Sequence, residues 1–226
     1  MFKKLIEALR QRPLLKQMIS EMEQMLAEAV HMYRPLVDVL TGKQELSRKT
    51  HDMIYETDRR INHIQRKIRK QLVEHLIVSP GSDVPISLIL MSITKDAERI
   101  GDICKNIYEV AEALGGQLDG GKYEDRFGGI LRETEALFEP TVQAFCQSDK
   151  ELGHEAVEKG RHLAKECDEV LAELMKDELV CKKAVLYTLL ARYLKRVCLH
   201  LSNIATSVVM PLHKLDYFDE EWGDTF

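Results

Sequence analysis

The sequence is short of residues that crosslink chains, break helices or span membranes. Its 226 residues include six prolines and five cysteines, and no two cysteines form a Cys-x-x-Cys pair. The cysteines are scattered and odd in number, so we expect reduced thiols rather than a disulfide framework or a zinc site. No apolar run reaches the roughly 18–20 residues that a membrane-spanning helix needs. The first residues are too charged for a secretory signal, so we expect a cytoplasmic protein.

The chain also lacks an excess of positive charge and the motifs of common catalysts. Its formal net charge of −5 at pH 7 does not attract nucleic acid. It has no glycine-rich phosphate loop and no serine or cysteine nucleophile motif, so nothing indicates a pocket for nucleotide or free phosphate. These absences favour a protein that has no nucleic-acid partner and is not an enzyme.

What the sequence does contain is helical periodicity, with no strand alternation. The methionine stripe that begins at Met18 is expected to lie in a core, because methionine fills irregular apolar gaps. The fold class is therefore all-α. The six helical patterns cover residues 13–40, 45–77, 84–114, about 128–147, 150–176 and 180–210.

The third and sixth helical patterns match one another. When the third is shifted by 97 residues, its core positions fall on apolar positions of the sixth, with Ile89 on Leu186 and Ile107 on Ile204. Such a match is expected of a helix that occurs in two copies. It indicates an internal duplication in which each half has three long helices.

The glycine-rich stretch at 115–121 breaks the helical pattern between these halves. We therefore predict two tandem three-helix bundles, at 13–115 and 122–213. The terminal segments 1–12 and 214–226 lie outside both predicted bundles.

Glu98 and Asp102 are one helical turn apart, so both carboxylates lie on one face of the third helix. Like charges at this spacing cost roughly 0.2–0.5 kcal/mol. Gly101 between them costs about 1 kcal/mol relative to alanine. A hard cation would remove the repulsion, and the glycine would let a neighbouring backbone come close. A second interpretation stays open, in which Lys95 and Lys105 pair with the acids on a solvated face.

The run Asp96-Ala97-Glu98-Arg99-Ile100-Gly101-Asp102, followed by Asn106-Ile107, resembles the signature of the PhoU family of phosphate-signalling regulators. The family pattern is close to Leu-Glu-Arg-Ile-Gly-Asp-His-Ala-x-Asn-Ile. The resemblance extends over about residues 14–212 and implies two tandem three-helix bundles. It implies regulation of inorganic phosphate uptake through a membrane phosphate transporter or its sensor kinase. It also implies a homodimer that contacts the membrane only through such a partner.

The resemblance further implies bound iron or zinc on an acidic surface, while the carboxylate ligands would also suit magnesium or manganese. Glu98 and Asp102 match the acidic pair of the family. Asp58, in Asp58-Arg59-Arg60-Ile61-Asn62, matches a third acidic residue from the second helix. Asn106 and Glu56 are weaker candidates, since Glu56 points about 160° away from Asp58 on the same helix.

The second half departs from the family pattern at the acidic pair. Lys195 stands where the first half has Glu98, and Leu199 stands where it has Asp102. Lys195 and the adjacent Arg196 would repel a metal. We therefore expect the second half to lack a metal cluster and to serve as a structural or docking half.

Two other functions remain open on the sequence. Glu28/His31 and Glu151/His154 have the Glu-x-x-His spacing of carboxylate-bridged di-iron bundles, which are oxidoreductases or ferritin-like proteins. The other alternative is a helical adaptor that binds no metal.

The second helical pattern carries a basic strip, with six basic residues and no acidic residue between positions 59 and 73. We expect a solvated face. The alternative is a docking strip for an acidic partner or for phospholipid head groups. The basic residues are Arg59, Arg60, Arg66, Lys67, Arg69 and Lys70.

Overall fold

The computed structural model describes residues 13–78, 81 and 83–216, and these residues form helices and no strand. The predicted all-α fold is confirmed. The terminal segment 1–12 and most of 214–226 lie outside the described residues. The six long helices are α1 (Pro13–Leu40), α2 (Arg48–Val78), α3 (Val84–Leu114), α4 (Lys122–Gln147), α5 (Lys150–Leu174) and α6 (Cys181–Val209).

Helices α1, α2 and α3 pack on one another, and α4, α5 and α6 do the same. The two bundles meet where α3 packs on α6 and α1 packs on α4. Asp96 contacts His200, whereas Lys105, further along α3, lines a cleft with the earlier residue Arg196. Since α3 and α6 therefore run antiparallel, the α2–α3 connection and the α5–α6 connection lie at opposite ends of the molecule.

The predicted methionine stripe is fully buried along α1, including Met18, Met25 and Met32. Tyr33, on the same helix, lies between the bundles. Its ring centroid is 5.5 Å from that of Phe138, and its hydroxyl donates to the backbone oxygen of Leu131 at 3.4 Å. These contacts extend one continuous apolar core through both bundles.

The duplication is visible in α3 and α6. Their first residues, Val84 and Cys181, are 97 positions apart, which is the predicted shift (181 − 84). Equivalent residues such as Ile107 and Ile204 are fully buried in both copies. None of the described helices is long and apolar enough to cross a membrane.

Helix α4 begins at Lys122, six residues before the predicted start at 128. Phe127 in this first part of α4 packs edge-on against Tyr187 of α6, with ring centroids 5.4 Å apart. Gly128 and Gly129 interrupt the apolar pattern but lie inside the helix. The aromatic packing outweighs the low helix propensity of the two glycines.

The predicted break at 115–121 does end α3. Gly115 has a left-handed backbone, with φ of 90°, and its N–H is directed at the carbonyl oxygens of Ala111 and Glu112. Glycine accepts this conformation without steric cost. Leu118 then donates its N–H to the carbonyl of Leu40 at 3.0 Å, which ties the connection to the end of α1.

Candidate functional site

Helices α2 and α3 approach closely at Gly101, in the middle of the acidic motif. A Cβ atom on Gly101 would lie 3.2 Å from Cδ1 of Ile61 and 3.8 Å from Oδ1 of Asp58. It would also lie 3.8 Å from Sδ of Met32. We expected a close backbone at this glycine, but the near neighbours are side chains of α1 and α2. The missing side chain thus leaves room for the Asp58 carboxylate beside α3.

Lys105 bridges two of the three predicted metal ligands. Its Nζ lies 3.0 Å from Oδ2 of Asp58 and 2.9 Å from Oδ1 of Asp102. Burial by itself would lower the pKa of Lys105, but its hydrogen bonds to the two carboxylates raise that pKa above its usual value. The ammonium therefore stays charged between the carboxylates.

Asp58 is buried, with 7% of its surface exposed, and only one of its oxygens is fully paired. Oδ2 accepts from Nδ2 of Asn62 at 3.1 Å as well as from Lys105. Oδ1 is buried and has no hydrogen-bond partner among the described residues. This oxygen, which faces Gly101, is the one unsatisfied acceptor at the motif.

Glu98, the third predicted ligand, is partly buried next to Arg99. Nε of Arg99 lies 3.7 Å from Oε2 of Glu98, and Nη1 lies 3.4 Å from Oδ2 of Asp102. Burial and the nearby Asp102 raise the pKa of Glu98, while Arg99 and Arg69 act in the opposite direction. The negative charges of Glu98 and of the second oxygen of Asp102 are thus balanced by Arg99 rather than by a shared metal ion.

The two weaker candidates lie in different places. Asn106 lines a cleft beside the motif, together with Asp102 and Tyr55. Glu56 lines a separate depression with Gln24 of α1, on the other side of α2. The structure therefore brings Asn106 close to the motif and leaves Glu56 apart from it.

The acidic residues do not fit a metal ion in their present arrangement. Across the described ranges, no group of three or more His, Cys, Asp or Glu side chains is placed to hold one. The ammonium of Lys105 occupies the space between Asp58 and Asp102 that a divalent cation would need. A metal would bind only after that side chain moved away. The site stays a prediction, with Lys105 as its competitor.

Comparison with known proteins identifies the part of the chain that carries this site. Residues 15–111 match the model of the PhoU domain family. The match covers 97 of the 226 residues, and this stretch is referred to as the PhoU domain. No match was found among curated proteins.

Solved structures extend the likeness in fold beyond the PhoU domain. PhoU from Pseudomonas aeruginosa has a TM-score of 0.67 at 23% identity, over 92% of this chain and 97% of that chain. The phosphate transport system regulatory protein PhoU from Streptococcus pneumoniae has a TM-score of 0.69 at 18% identity, over 93% and 96%. At these identities the likeness establishes the fold of both bundles and nothing more.

The bundle that follows the PhoU domain has Lys195 and Leu199 in place of the acidic pair. Nζ of Lys195, at the position equivalent to Glu98, lies 2.8 Å and 2.6 Å from the two carboxylate oxygens of Asp168 on α5. Arg196 lines the cleft beside Asp102. A cation of the second bundle therefore faces the motif of the PhoU domain, which the comparison of the two repeats did not predict.

Sequence reasoning missed a polar cluster between the PhoU domain and α6. Nδ1 of His200 lies 2.7 Å from Oδ1 of the buried Asp96, and Asn203 donates to the same oxygen at 3.3 Å. In the repeat, His200 stands at the position equivalent to Ile103. That polar replacement was the available signal, but its meaning depends on how α3 packs on α6.

The two Glu-x-x-His pairs do not form a di-iron centre in the described part of the chain. Glu28 pairs with Arg60, whose Nη2 lies 2.9 Å from its Oε2, and His31 is exposed. Glu151 and His154 are both exposed on α5. Ligands of such a centre project into the bundle, and these do not.

Proposed function

We propose that this chain regulates inorganic phosphate uptake by docking on a membrane phosphate transporter or its sensor kinase, without turning over a substrate. The observation that carries the proposal is the PhoU domain at 15–111, which retains Glu98, Asp102 and Asn106 of the motif. The Streptococcus pneumoniae protein of the same fold is a phosphate transport system regulatory protein. Cytoplasmic location and homodimer formation remain predictions.

The cleft beside the motif supports docking. It is an open depression of about 330 Å³ that exposes cationic and anionic groups side by side, among them Arg99, Asp102 and Arg196. Mixed charges on an open surface suit recognition of a partner through complementary charges. A small substrate would usually need an enclosed and more apolar pocket. We propose that the partner contacts this cleft.

The buried cysteines of the core do not supply a nucleophile. Cys104, Cys167 and Cys198 are buried. Burial raises the pKa of Cys198 to about 12 and the pKa of the other two higher still. A thiol that stays protonated is a poor nucleophile, so these residues serve packing.

The proposed function does not require a metal. Lys105 already supplies a positive charge to Asp58 and Asp102 at hydrogen-bond distance. This observation favours the metal-free adaptor as the second candidate, since such a protein would dock through side chains alone. Resistance of partner binding to chelators would distinguish it from a metal-dependent regulator.

Phosphate uptake in a deletion strain tests the regulatory function. Uptake of labelled phosphate would be measured in phosphate-rich and phosphate-starved cells, with and without a plasmid copy of the gene. We expect deletion to abolish the difference between the two conditions and the plasmid to restore it. Unchanged uptake in both conditions would contradict the proposal.

Capture of the transporter and the kinase by the tagged full chain tests docking. Arg99→Glu with Arg196→Glu reverses the cationic side of the cleft and should abolish capture. The control is Lys165→Glu with Lys182→Glu, which makes the same change in charge at exposed positions on α5 and α6. Equal capture by both double variants, with unchanged helicity, would show that the cleft is not the docking surface.

A further inference from the structure

Helix α2 presents a row of basic side chains on its outer face. Arg59, Arg66 and Lys70 are exposed and lie within about 40° of one another around the helix. In the described ranges Arg59 and Arg66 pair with no carboxylate, and Lys70 lies 3.8 Å from Oε1 of Glu74. By contrast, Lys67 is held at 2.7 Å by Glu21 on the side that faces α1. Arg59 and Arg66 therefore carry positive charge that no carboxylate of the described residues neutralises.

Exposed aliphatic side chains continue this row to the end of α2. Val73 and Ile77 lie on the same outer face and are 51% and 75% exposed. Val78, at the end of the helix, is 80% exposed. Leu88, on the first turns of α3, is 48% exposed. Large apolar groups at such exposure and in one region mark an interaction surface rather than scattered surface residues.

The opposite end of the molecule provides an internal comparison. Met175 and Val180, at the α5–α6 connection, are 82% and 76% exposed. The adjoining helix α5 has seven acidic and four basic residues, so its surface is mixed in charge. Helix α6, which begins at this connection, also exposes cations and aliphatic groups, but on α2 the aliphatic groups directly continue the row that contains Arg59 and Arg66.

We propose that the outer face of α2, from Arg59 to Ile77, docks on an anionic lipid surface. The cations would contact lipid phosphates, and the aliphatic residues at the helix end would enter the boundary between head groups and acyl chains. The face is about 27 Å long, so α2 would lie along the membrane rather than enter it end-on.

Charge favours a lipid surface over an acidic protein as the occupant. Glu74 is the one acidic residue in the stretch 59–77, so charge does not alternate along the face in a way that would set the register of a protein partner. A fluid layer of negative head groups requires no register. Such contact would be direct, whereas the resemblance implied contact with the membrane only through a partner. This inference does not rest on the proposed regulatory function.

Flotation of the purified full chain with vesicles tests the proposal. Vesicles of phosphatidylcholine with phosphatidylglycerol should bind the protein, and vesicles of phosphatidylcholine alone should bind it at least tenfold more weakly. Each basic residue near an anionic surface contributes about fivefold to binding. Added salt should release the protein, because the exposed charges become screened.

Two variants separate the charged and apolar parts of the face. Arg59→Gln, Arg66→Gln and Lys70→Gln together should lower binding at least tenfold. Their control replaces Lys150, Lys165 and Lys182, which are exposed at other sites, with glutamine. Ile77→Ser with Val78→Ser should weaken binding severalfold, and Met175→Ser with Val180→Ser should not. Circular dichroism would confirm that each variant keeps its helicity.

Four results would overturn the proposal. The first is that neither vesicle binds, or that both bind equally. The second is that each control variant loses as much binding as its counterpart. The third is retention on immobilised polyglutamate without vesicle binding, which would assign the face to an acidic protein. The fourth is a change in molecular mass of the glutamine variant in solution without lipid, which would assign the face to a second copy of the chain.

Discussion

Lys105 of α3 places its Nζ 3.0 Å from Oδ2 of Asp58 on α2, which makes an ion pair across the helix interface. The same Nζ lies 2.9 Å from Oδ1 of Asp102. A lysine of the motif helix is therefore fixed between two carboxylates that the sequence assigned to a metal. A bound divalent cation and this ammonium would compete for the same oxygens.

Replacement of Lys105 tests that competition. Lys105→Met keeps most of the aliphatic stem but leaves Asp58 with Asn62 and Asp102 with Arg99 as their remaining partners, so we expect a loss of about 1–3 kcal/mol in the free energy of unfolding. Zinc or manganese should restore part of this loss in the variant and should not stabilise the wild type. Thermal unfolding with and without metal measures both effects. Lys95→Met, an exposed residue on the same helix, is the control.

Metal content provides the opposing outcome. In that outcome the purified wild type carries stoichiometric iron or zinc, which Glu98→Ala with Asp102→Ala removes while helicity is retained. That result would show that the metal ion displaces the Lys105 ammonium from the carboxylates. Elemental analysis of both proteins decides this. Unchanged content in the double variant would place any bound metal elsewhere.

The contact between Asp96 and His200 should stabilise the packing of the two bundles on each other. We expect His200→Ala to lower the free energy of unfolding by about 1–3 kcal/mol, because it leaves the buried Asp96 carboxylate with a weaker set of partners. His31→Ala, at an exposed position, should have little effect. Unfolding by urea, in a double-mutant cycle with Asp96→Asn, measures the coupling. A coupling energy near zero would contradict this role.

These two contacts show how much of the site could be predicted from the sequence. The pairing of Lys105 with Asp102 was among the interpretations left open, because residues three apart share a helical face. The pairing of Lys105 with Asp58 was not among them, because it depends on the close approach of α2 to α3 at Gly101. Periodicity within one helix determines which residues are buried but not which helix they meet.

The fold was easier to predict from the sequence than the site, and the reason is the same. Burial repeats along a single helix, so Ile93, Ile100 and Ile107 identify the core face of α3 from the sequence alone. The equivalent positions in α6 carry the same information and reveal the duplication. The predicted start of α4 was wrong because Gly128 and Gly129 disrupt the local apolar pattern. The packing that outweighs these glycines comes from α6.

Close helix packing in the second bundle should make Gly160 intolerant of a side chain. A Cβ on Gly160 of α5 would lie 3.0 Å from the carbonyl oxygen of Cys198 and 3.1 Å from Cδ2 of Leu137. We expect Gly160→Ala to destabilise the protein by about 1–3 kcal/mol, because a backbone oxygen cannot move without shifting α6. Thermal unfolding measures the change.

The matched control is Gly129→Ala on α4. A Cβ at this position would meet nothing within 4 Å, so the gain in helix propensity should stabilise the protein by up to about 1 kcal/mol. Opposite signs for the two substitutions are the expected result. Equal effects would show that α5 and α6 are less tightly packed than described.

Asp216 should make the stability of the chain depend on pH. Burial, and then the nearby Asp96, raise the pKa of Asp216 to about 6, against the opposing effects of His200 and Lys95. In the unfolded chain an aspartate titrates near a pKa of about 3.9. Between these values the folded protein binds a proton that the unfolded chain does not. The contribution of Asp216 to stability is therefore unfavourable at pH 7, and this penalty is relieved progressively as the pH falls from about 6 to about 3.9.

The substitution Asp216→Asn should therefore raise the unfolding temperature at pH 7.5 and change it much less at pH 4. Unfolding monitored by circular dichroism at both values, with the exposed Glu158→Gln as control, measures this difference. A gain that is the same at both pH values would show that the charge of Asp216 is not responsible. Burial in that case would be insufficient to hold a proton on the carboxylate, and the pH dependence of the chain would have to come from other groups such as Glu98, whose pKa is raised in the same direction.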